Sequence, residues 1–593
     1  MLRTHTCGEL RPTHIGKPAT LCGWVHRRRD HGGLIFIDLR DRYGLTQVVI
    51  NPERKEIFKT AETVRPEWVL KVTGNVRKRV EGAERAENPT GGIEVEATEL
   101  TVLNEAKTPP FEIDTEKDAN EELRLTYRYL DLRRDRMRKN IELRSKVFQI
   151  IRKHFTEEGC LEIDTPCLIK GTPEGAREYL VPSRLYPGNF FVLPQSPHQL
   201  KQLCMVGGLD RYFQIARCFR DEDLRGDRQP EFLQLDFEMS FGEQQDVQRI
   251  IEGSLVKILK ECSTKPLKDG KVARYTWKEV MEKYGSDKPD LRYELPLTDV
   301  SDIAKGSGFK VFEDALAKNG TVRALRVPGG AALTRSEIDT WTELAKEMKA
   351  KGLAYILLKE DGPQSPLLKF FKDGVLQKLQ EATGAKTGDA IFFGADKFRI
   401  ACASLSKVRA EAAKRFKLID ESIHAMFWVT DFPMFEENDD PSAPPGAGSS
   451  LTFSHHPFTS PNPEQWKHRK EKPLDVHAIC YDLVLDGYEL GSGSIRIHDR
   501  QLQSEVFDML GITREDAEKR FGHMLKAFEY GAPPHGGFAY GIDRVVMIMA
   551  GEPNIREVTP FPKDQKAKDL LMGSPAEVSE KQLKELGIKI TGE

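Results

Sequence analysis

The chain has 593 residues, of which 39% are hydrophobic and 31% charged, and its formal net charge is −3. This is an ordinary globular composition, and the length is too great for one hydrophobic core, so several domains are expected. The sequence has no run of about 18 apolar residues, no apolar secretion signal and no C-x-x-C pair among its nine cysteines, which favours a cytoplasmic protein without a membrane partner, disulfides or zinc.

The first domain is predicted from five short β-runs between residues 18 and 105, with one amphipathic helical patch near Glu53 to Val64. Five strands with a helix after the third are typical of an OB barrel, a fold that binds single-stranded nucleic acid through aromatic rings beside basic residues. Phe36 and the run Arg27 to Arg29 offer that combination, although a place for Phe36 in the barrel core is an equal alternative. The five runs are Thr20 to Val25, Leu34 to Leu39, Thr46 to Ile50, Val69 to Val76 and Ile93 to Leu103.

The segment Gly23 to Asp41, GWVHRRRDHGGLIFIDLRD, resembles the anticodon-binding domain of bacterial-type aspartyl-tRNA synthetases. The resemblance also implies, from His31 and Gly82, an enzyme that accepts tRNA(Asn) as well as tRNA(Asp), because glycine at 82 removes a side chain that could probe the third anticodon base. A loop glycine is equally a simple turn residue, so an enzyme restricted to tRNA(Asp) is the alternative. The implied anticodon contacts are Arg29, Phe36, Gln47, Arg79 and Glu94.

After a Pro-containing hinge at Thr108 to Phe111, an apolar stripe predicts a long helix that stops at Gly159. The next segment, Leu161 to Pro166, resembles motif 1 of class II aminoacyl-tRNA synthetases, which implies a homodimer. Helix, strand and proline are common in any α/β protein, so the dimer depends on the resemblance. The stripe consists of Leu143, Val147, Ile150, Ile151 and Phe155.

Two segments well apart in the chain, Phe219 to Phe232 (FRDEDLRGDRQPEF) and Gly541 to Arg544 (GIDR), place arginine among carboxylates. Either alone would be read as a solvated charge run, but together they suit a metal-bound triphosphate. They resemble motifs 2 and 3 of class II synthetases, which implies that Arg220 and Arg544 are catalytic. The implied ATP-binding residues are Arg220, Asp221, Glu222, Gln229, Phe232, Glu489, Gly541, Ile542, Asp543 and Arg544.

The amino-acid pocket is expected between these motifs. The segment Thr172 to Arg177 resembles a mobile loop that closes over aspartate, with Glu174 facing the substrate ammonium. The segment Gln195 to Lys201, QSPHQLK, departs from the family, since His198 stands where relatives usually have glutamine, and whether His198 or Gln199 faces the adenylate is open. The resemblance implies adenylate contacts from His198 and His456 and an aspartate site of Glu174, Ser196, Lys201, Gln234, Asp236, Arg496 and His455.

Three patterns bear on the chemistry of this pocket. Alternation in the strand Phe232 to Glu238 puts Gln234, Asp236 and Glu238 on one face, and Arg496 can accept a carboxylate through two parallel hydrogen bonds. Asp482 and Glu489 are hard oxygen ligands for magnesium bound with ATP. Adjacent histidines in a strand face opposite sides, which argues against joint metal chelation by His455 and His456.

An insertion from residue 287 to about 420 has an α/β pattern of its own, without a constellation of catalytic side chains. It resembles the GAD insertion of bacterial-type aspartyl synthetases. Glu436 to Ser450, rich in Pro, Gly, Ser and acidic residues, is predicted as an exposed loop. The predicted elements are strands at Thr321 to Val327, Tyr355 to Leu358 and Ala390 to Phe393, and a helix at Arg335 to Lys351 opened by the capping box of Thr334 and Glu337.

The resulting expectation is a multidomain α+β protein with an OB-fold barrel, an antiparallel class II catalytic domain and an inserted α/β GAD-like domain. The resemblance implies an aspartate–tRNA(Asp/Asn) ligase that uses ATP and magnesium. Asparaginyl- and lysyl-tRNA synthetases are disfavoured by the insertion and by Arg496 with Lys201, and a catalytically silent tRNA-binding paralogue is the more distant alternative. The predicted limits are 1–107 for the OB domain, 108–140 for the hinge, 141–286 and 421–562 for the catalytic domain, 287–420 for the insertion and 563–593 for a carboxy-terminal extension.

Overall fold

The computed structural model describes residues 1–113, 117, 119–171, 176–437 and 450–591. The chain divides into two compact units, one formed by Met1–Arg144 with Arg556–Glu577, the other by Ser145–Ile555 with Val578–Glu593. Within the described ranges, every helix is too short or too polar to cross a bilayer.

The first unit contains the predicted barrel. Its elements are β1 (Pro18–His31), β2 (Leu34–Asp41), β3 (Gly44–Ile50), α1 (Lys55–Thr63), β4 (Val69–Lys78) and β5 (Ile93–Asn104). The strands close in the order β1-β2-β3-β5-β4, and β3 and β5 are the parallel pair. Strand β1 extends beyond the predicted run because Arg28 to His31 continue to pair with β2. The OB barrel expected from the sequence is therefore confirmed.

The segment predicted as a hinge contains regular structure: α2 (Glu121–Thr126), α3 (Arg128–Asp131) and the start of α4 (Asp135–Glu157). Buried arginine side chains hold α2 and α3 to the carboxy-terminal part of the same unit. Arg124 Nη2 donates to Glu557 Oε1 at 2.7 Å, and Arg128 Nη2 donates to the backbone oxygens of Arg556 and Thr559 at 2.6 and 2.8 Å. Charged hydrogen bonds of this kind require defined geometry, so α2 and α3 are held in place within the first unit.

The second unit begins in α4, whose residues Val147, Ile150, Ile151 and Phe155 are buried as the stripe predicted. The helix ends at Glu157, just before Gly159, which has a φ of 75°. The elements that follow are β6 (Leu161–Glu162), β7 (Leu180–Pro182), β8 (Phe190–Val192), α5 (His198–Val206), β9 (Arg211–Phe219), β10 (Glu231–Ser240), α6 (Gln244–Cys262), β11 (Ala273–Thr276) and α7 (Trp277–Tyr284).

The insertion forms a five-stranded antiparallel sheet in the second unit. Its elements are β12 (Leu297–Asp299), α8 (Ser301–Ala304), α9 (Lys310–Ala317), β13 (Thr321–Val327), α10 (Arg335–Glu347), β14 (Ala354–Lys359), β15 (Gly362–Gln364), α11 (Val375–Thr383), β16 (Ala390–Asp396) and α12 (Phe398–Arg415). The strand order is β12-β13-β16-β14-β15. Adjacent residues of a strand, such as Phe392 and Phe393, belong to two separate apolar clusters. The predicted capping box is present, with Glu337 N donating to Thr334 Oγ1 at 3.3 Å, while α10 ends before the predicted Lys351.

The chain then returns to the central sheet of the second unit. The remaining elements are β17 (Met426–Thr430), β18 (Phe435–Glu437), β19 (Leu451–Phe453), α13 (Pro463–Trp466), β20 (Cys480–Leu485), β21 (Tyr488–Ile495), α14 (Arg500–Met509), α15 (Arg514–Phe528), β22 (His535–Gly541), α16 (Ile542–Ala550) and α17 (Glu580–Glu585). The predicted loop at Glu436 to Ser450 begins inside β18, and residues 438–449 lie outside the described residues.

Eight strands form the central sheet, in the order β11-β17-β20-β21-β22-β10-β9-β6. Pairing is antiparallel throughout the middle and parallel at the two edges. Strands β10, β22, β21 and β20 are consecutive neighbours although they come from distant parts of the sequence. The sheet thereby brings the motif-like segments side by side.

Candidate functional site

A cavity of about 1060 Å³ opens over the central sheet, and Arg220, Glu489, Arg496 and Arg544 all line it. The volume is at the upper end of the range of small-molecule sites. The residues predicted for a site that line this cavity are Ser196, His198, Lys201, Arg220, Glu222, Gln229, Phe232, Gln234, Asp236, His455, His456, Asp482, Glu489, Arg496, Gly541, Asp543 and Arg544.

Two of the described residues predicted for ATP binding do not line the cavity. Asp221 lines a smaller neighbouring pocket, because its backbone N–H bonds to Arg177 O at 3.1 Å and turns this segment away. Ile542 is fully buried at the start of α16, where an apolar side chain packs into the core. Glu174 lies outside the described residues.

Four charged side chains alternate in sign at the buried end of the cavity. Lys201 Nζ lies 3.0 Å from Asp236 Oδ1 and 3.4 Å from Glu238 Oε2. Arg496 donates from Nε and Nη2 to the two oxygens of Glu238, at 3.0 and 3.3 Å. All four are at most 5% exposed. We call these four residues the charge array, and its signs balance.

Strand β10 positions the two acids of the array, because Asp236 and Glu238 are two residues apart and share a face, as predicted. Burial alone would raise the pKa of Glu238, but Arg496 and Lys201 hold it below its usual value. The pKa of Asp236 is raised, mainly by burial. Gly537 on neighbouring β22 makes room for the array, since a Cβ there would lie 1.9 Å from Glu238 Oε2.

The guanidinium of Arg496 is already hydrogen-bonded within the protein. Glu238 already accepts two of its hydrogen bonds, and Nη1 donates a third to Ser494 Oγ at 2.7 Å. A guanidinium has five N–H groups, so two are left for a ligand in the cavity. The protein therefore holds the plane of Arg496 in advance, which reduces the entropic cost of binding a carboxylate.

The two arginines of the motif-like segments are each oriented by a partner. The guanidinium of Arg220 lies over the ring of Phe232, with 5.1 Å between its central carbon and the ring centroid. Arg544, in the first turn of α16, pairs through Nη2 with Asp227 Oδ2 at 2.9 Å and through Nη1 with the backbone oxygen of Glu489. Both cations border the cavity, so an anionic ligand there would meet positive charge from two sides.

Asp482 on β20 and Glu489 on β21 border the cavity from one hairpin. Asp482 is 5% exposed, and its Oδ1 has no hydrogen-bond partner among the described residues. Burial and then the negative charge of Glu489 raise the pKa of Asp482 against the effect of His455, while Lys288 and Arg544 lower that of Glu489 against its burial. The part of the chain that the structure describes holds no group of three or more His, Cys, Asp or Glu side chains arranged for a metal. Two carboxylates with an orphaned oxygen fit a cation that takes its other ligands from phosphate and water, as magnesium does.

The structure decides which residue of the QSPHQLK segment faces the cavity. Helix α5 begins at His198, so His198 and Lys201 lie on one face and line the cavity, whereas Gln199 is buried with both amide atoms unpaired among the described residues. The rings of His198 and His456 are 4.3 Å apart. Burial lowers both pKa values, that of His456 to about 3.

The expectation that His455 and His456 face opposite sides of a strand is wrong. Strand β19 ends at Phe453, so the two histidines follow a bend and both line the cavity. They still have different partners: His455 Nε2 is 3.6 Å from Asp482 Oδ1, whereas His456 packs against His198.

Several residues that border the cavity were not predicted from the sequence: Asp227, Arg228, Asp287, Lys288, Lys407 and Lys414. Lys407 and Lys414 are seven residues apart on α12, a spacing that places them on one helix face and was available as a signal. Asp287 and Lys288 stand in a Pro-containing turn, and such a turn carries no pattern that points to a site.

The predicted anticodon-binding residues lie in the barrel of the first unit, where Arg29 and Phe36 are partly exposed and Gln47, Arg79 and Glu94 are buried. Ile35 and Ile37 are fully buried, whereas Phe36 is partly exposed between them, so Phe36 is not part of the barrel core. In the antiparallel register Phe36 pairs with Arg29, and its ring lies 6.5 Å from that of His31.

The polar side chains of this set are hydrogen-bonded within the barrel. Arg29 Nη2 donates to Asp38 at 2.9 Å, Gln47 Nε2 donates to Glu94 Oε2 at 2.7 Å, and Arg79 Nε donates to Ile93 O at 3.0 Å. Buried nitrogens of two guanidiniums, Arg29 Nε and Arg79 Nη2, have no hydrogen-bond partner among the described residues. The partly exposed ring of Phe36 beside the guanidinium of Arg29 is the combination of aromatic and cationic groups that single-stranded nucleic acid requires.

Comparison with known proteins agrees with both units. Residues 120–565 match the model of the class II tRNA synthetases (D, K and N), and residues 19–103 match that of the OB-fold nucleic acid binding domain. A protein named aspartate–tRNA(Asp/Asn) ligase from Rubrobacter xylanophilus is 52% identical over 99% of this chain and 97% of its own length. Another of the same name from Caldanaerobacter subterraneus is 49% identical over 99% and 98%.

Solved structures show the same fold at low identity. The asparaginyl-tRNA synthetase of Pyrococcus horikoshii, in complex with asparaginyl-adenylate, has a TM-score of 0.58 at 19% identity and covers 95% of this chain and 98% of its own. The aspartyl tRNA synthetase of Entamoeba histolytica has a TM-score of 0.56 at 18% identity, covering 93% and 90%. With the barrel, the eight-stranded sheet and the charged cavity, these matches show that the chain belongs to the class II tRNA synthetases of the D, K and N group.

Proposed function

We propose that this chain is an aspartate–tRNA ligase that charges both tRNA(Asp) and tRNA(Asn). The observation that carries the proposal is the cavity lined by Arg220, Arg544, Glu489 and three members of the charge array, Lys201, Asp236 and Arg496. It offers cations for a nucleotide, acids for a metal and a guanidinium for a second carboxylate. The names of the relatives at 49–52% identity support the same substrate pair.

The first step is the attack of the aspartate α-carboxylate on the α-phosphorus of ATP, which releases pyrophosphate and leaves aspartyl-adenylate. Arg220 and Arg544 neutralise charge on the phosphate oxygens as it develops. Arg496 and Lys201 bind the side-chain carboxylate of aspartate, and Asp236, with Gln234 beside it, receives the ammonium. Catalysis then depends on position and electrostatics, so no side-chain nucleophile is required.

Asp482 and Glu489 would hold magnesium at the polyphosphate side of the cavity. When bound, magnesium neutralises the triphosphate and its pyrophosphate leaving group. The pKa of His455 is raised well above its usual value: burial opposes the shift, but Cys480 and Asp482 outweigh it. A positively charged His455 attracts the carboxylate of Asp482 and so helps to orient it.

The second step is the attack of a 3′-terminal ribose hydroxyl of tRNA on the carbonyl of aspartyl-adenylate, which releases AMP. We propose that the barrel selects the tRNA through Arg29, Phe36, Gln47, Arg79 and Glu94. Gly82 supports the relaxed selection, since a Cβ at this position would meet no protein atom within 4 Å. The space that a side chain would fill is therefore open to either anticodon.

We also propose a homodimer through the motif 1 region. Leu161 and Leu168, in and after β6, are 52% and 51% exposed, and the β7–β8 hairpin adds further exposed apolar side chains. The number of exposed large apolar side chains in these neighbouring segments of the sequence supports an interface here. A mass measured by light scattering near that of one chain would contradict the dimer. The cytoplasmic location, the GAD-like character of the insertion and the domain limits given above stay predictions.

Aspartylation of purified tRNA(Asp) and tRNA(Asn) transcripts tests the proposal directly. We expect both to be charged. Charging of tRNA(Asp) alone would show an enzyme restricted to tRNA(Asp). ATP–pyrophosphate exchange with aspartate, asparagine and lysine tests the amino acid. Exchange that depends on asparagine or lysine would make the chain a different member of its family, and no exchange with any of them would favour the silent paralogue.

A further inference from the structure

Lys288 forms an ion pair with one of the two carboxylates proposed to hold metal. Its Nζ lies 2.8 Å from Glu489 Oε2, and both residues line the cavity. Within the described part of the chain, this is the cation that pairs with the carboxylate of Glu489, since Arg544 contacts its backbone oxygen instead. An ammonium therefore stands at the oxygen that a divalent cation would take.

The backbone around Lys288 is held on both sides. Before it, Gly285 closes α7 with a φ of 74°, and the N–H of Lys288 bonds to Ser286 Oγ at 3.1 Å. After it, Asp290 lies against the β20–β21 turn, where a Cβ on Gly487 would be 3.0 Å from the Asp290 Cβ. Lys288 is thus fixed over the hairpin that carries Asp482 and Glu489.

The same segment is held by helix α12, a later part of the insertion. Arg409 on α12 donates to the backbone oxygens of Asp290, Tyr293 and Leu295, each at about 3.0 to 3.1 Å. Its guanidinium also lies over the ring of Tyr293, at 4.1 Å. Because Arg409 is 2% exposed, this clamp is a buried structural connection. The position of Lys288 therefore depends on the inserted sheet as well as on the catalytic one.

The ion pair of Lys288 differs in exposure from those of the charge array. Lys201 and Asp236 have side chains 2% and 1% exposed, whereas those of Lys288 and Glu489 are 47% and 34% exposed. Exposed pairs contribute little net free energy because water screens them and the lysine side chain loses entropy. A divalent ion can displace such a pair, whereas the buried array stays paired.

We propose that Lys288 is a displaceable counter-ion: its ammonium holds Glu489 in place and screens it from Asp482 until a divalent cation arrives with the nucleotide. This inference deepens the proposed function, because it rests on Asp482 and Glu489 as the metal ligands. It makes Lys288 a positioning residue that competes with metal in the enzyme without nucleotide. The two carboxylates thus stay free of metal until the metal–ATP complex binds.

Binding of Mn²⁺ to the full-length protein without ATP, aspartate or tRNA, followed by the electron paramagnetic resonance of free Mn²⁺, tests this competition. We expect Lys288→Met to bind Mn²⁺ up to about fivefold more tightly than wild type, the factor that an exposed ion pair of about 1 kcal/mol represents. Lys288→Arg keeps the positive charge and should bind Mn²⁺ with wild-type affinity. Unchanged or weaker Mn²⁺ binding by Lys288→Met would overturn the proposal.

Lys346→Met is the matched control. Lys346 pairs with Glu343 at the same 2.8 Å and has a side chain 46% exposed, but lies on α10 of the insertion. It should bind Mn²⁺ like wild type. Adding Glu489→Gln to Lys288→Met should abolish the gain, and a gain that persists would mean that the ion sits elsewhere. Failure here with normal aspartylation would reject the counter-ion alone, whereas loss of exchange activity in the wild-type protein would reject the proposed function.

Discussion

Replacement of Arg496 separates its role in the substrate site from its role in the charge array. In Arg496→Ala, Glu238 and Asp236 would share one ammonium, that of Lys201, and one buried negative charge would be uncompensated. Breaking a buried pair in this way costs about 3–5 kcal/mol of unfolding free energy. The alanine variant therefore loses stability as well as activity, and its activity alone would be ambiguous.

Arg496→Lys is the sharper test, because it keeps a positive charge beside Glu238 but removes the planar fork. Losing one hydrogen bond to a charged group costs about 1.5–3 kcal/mol, so kcat/KM for aspartate-dependent ATP–pyrophosphate exchange should fall about ten- to 150-fold. Urea unfolding should place its stability well above that of Arg496→Ala. Exchange at the wild-type rate in the lysine variant would refute the assignment of the pocket.

Three further outcomes follow from the geometry. Phe36→Ala should raise KM for tRNA while leaving aspartate-dependent exchange and thermal stability unchanged, because the ring lies outside the barrel core; a drop in melting temperature without an effect on charging would contradict this. Gly537→Ala should destabilise the protein and abolish exchange, since its methyl would overlap Glu238, whereas Gly541→Ala should keep wild-type stability, its nearest neighbour being 3.9 Å away; equal stability of the two would be inconsistent with the structure. The pKa of His456 is lowered to about 3, so the unfolded state binds one proton more between that pH and about 6.5. Wild-type stability should therefore decrease as the pH is lowered through this window. His456→Gln should reduce that slope by up to about 1.4 kcal/mol per pH unit in urea titrations, and an unchanged slope would mean that the ring titrates normally.

The barrel and the strand patterns were predictable because they depend on local alternation. The faces of β2 and β10 follow from a two-residue period, which determined that Asp236 and Glu238 lie together. Alternation could not decide between core and surface for Phe36, since its neighbours on both sides are apolar. The closure of the barrel decided it, because Ile35 and Ile37 fill the interior.

Sequence alone determined the residue types of the candidate site: two arginines among carboxylates, two acids on one strand and a guanidinium able to bind a carboxylate. Only the tertiary structure decided how they meet. Glu238 orients Arg496, the bend after β19 turns His455 and His456 to the same cavity, and the clamped turn brings Lys288 to Glu489. These contacts join residues far apart in the sequence, and the pairing of β10, β22, β21 and β20 in one sheet, rather than any local pattern, determines which of them touch.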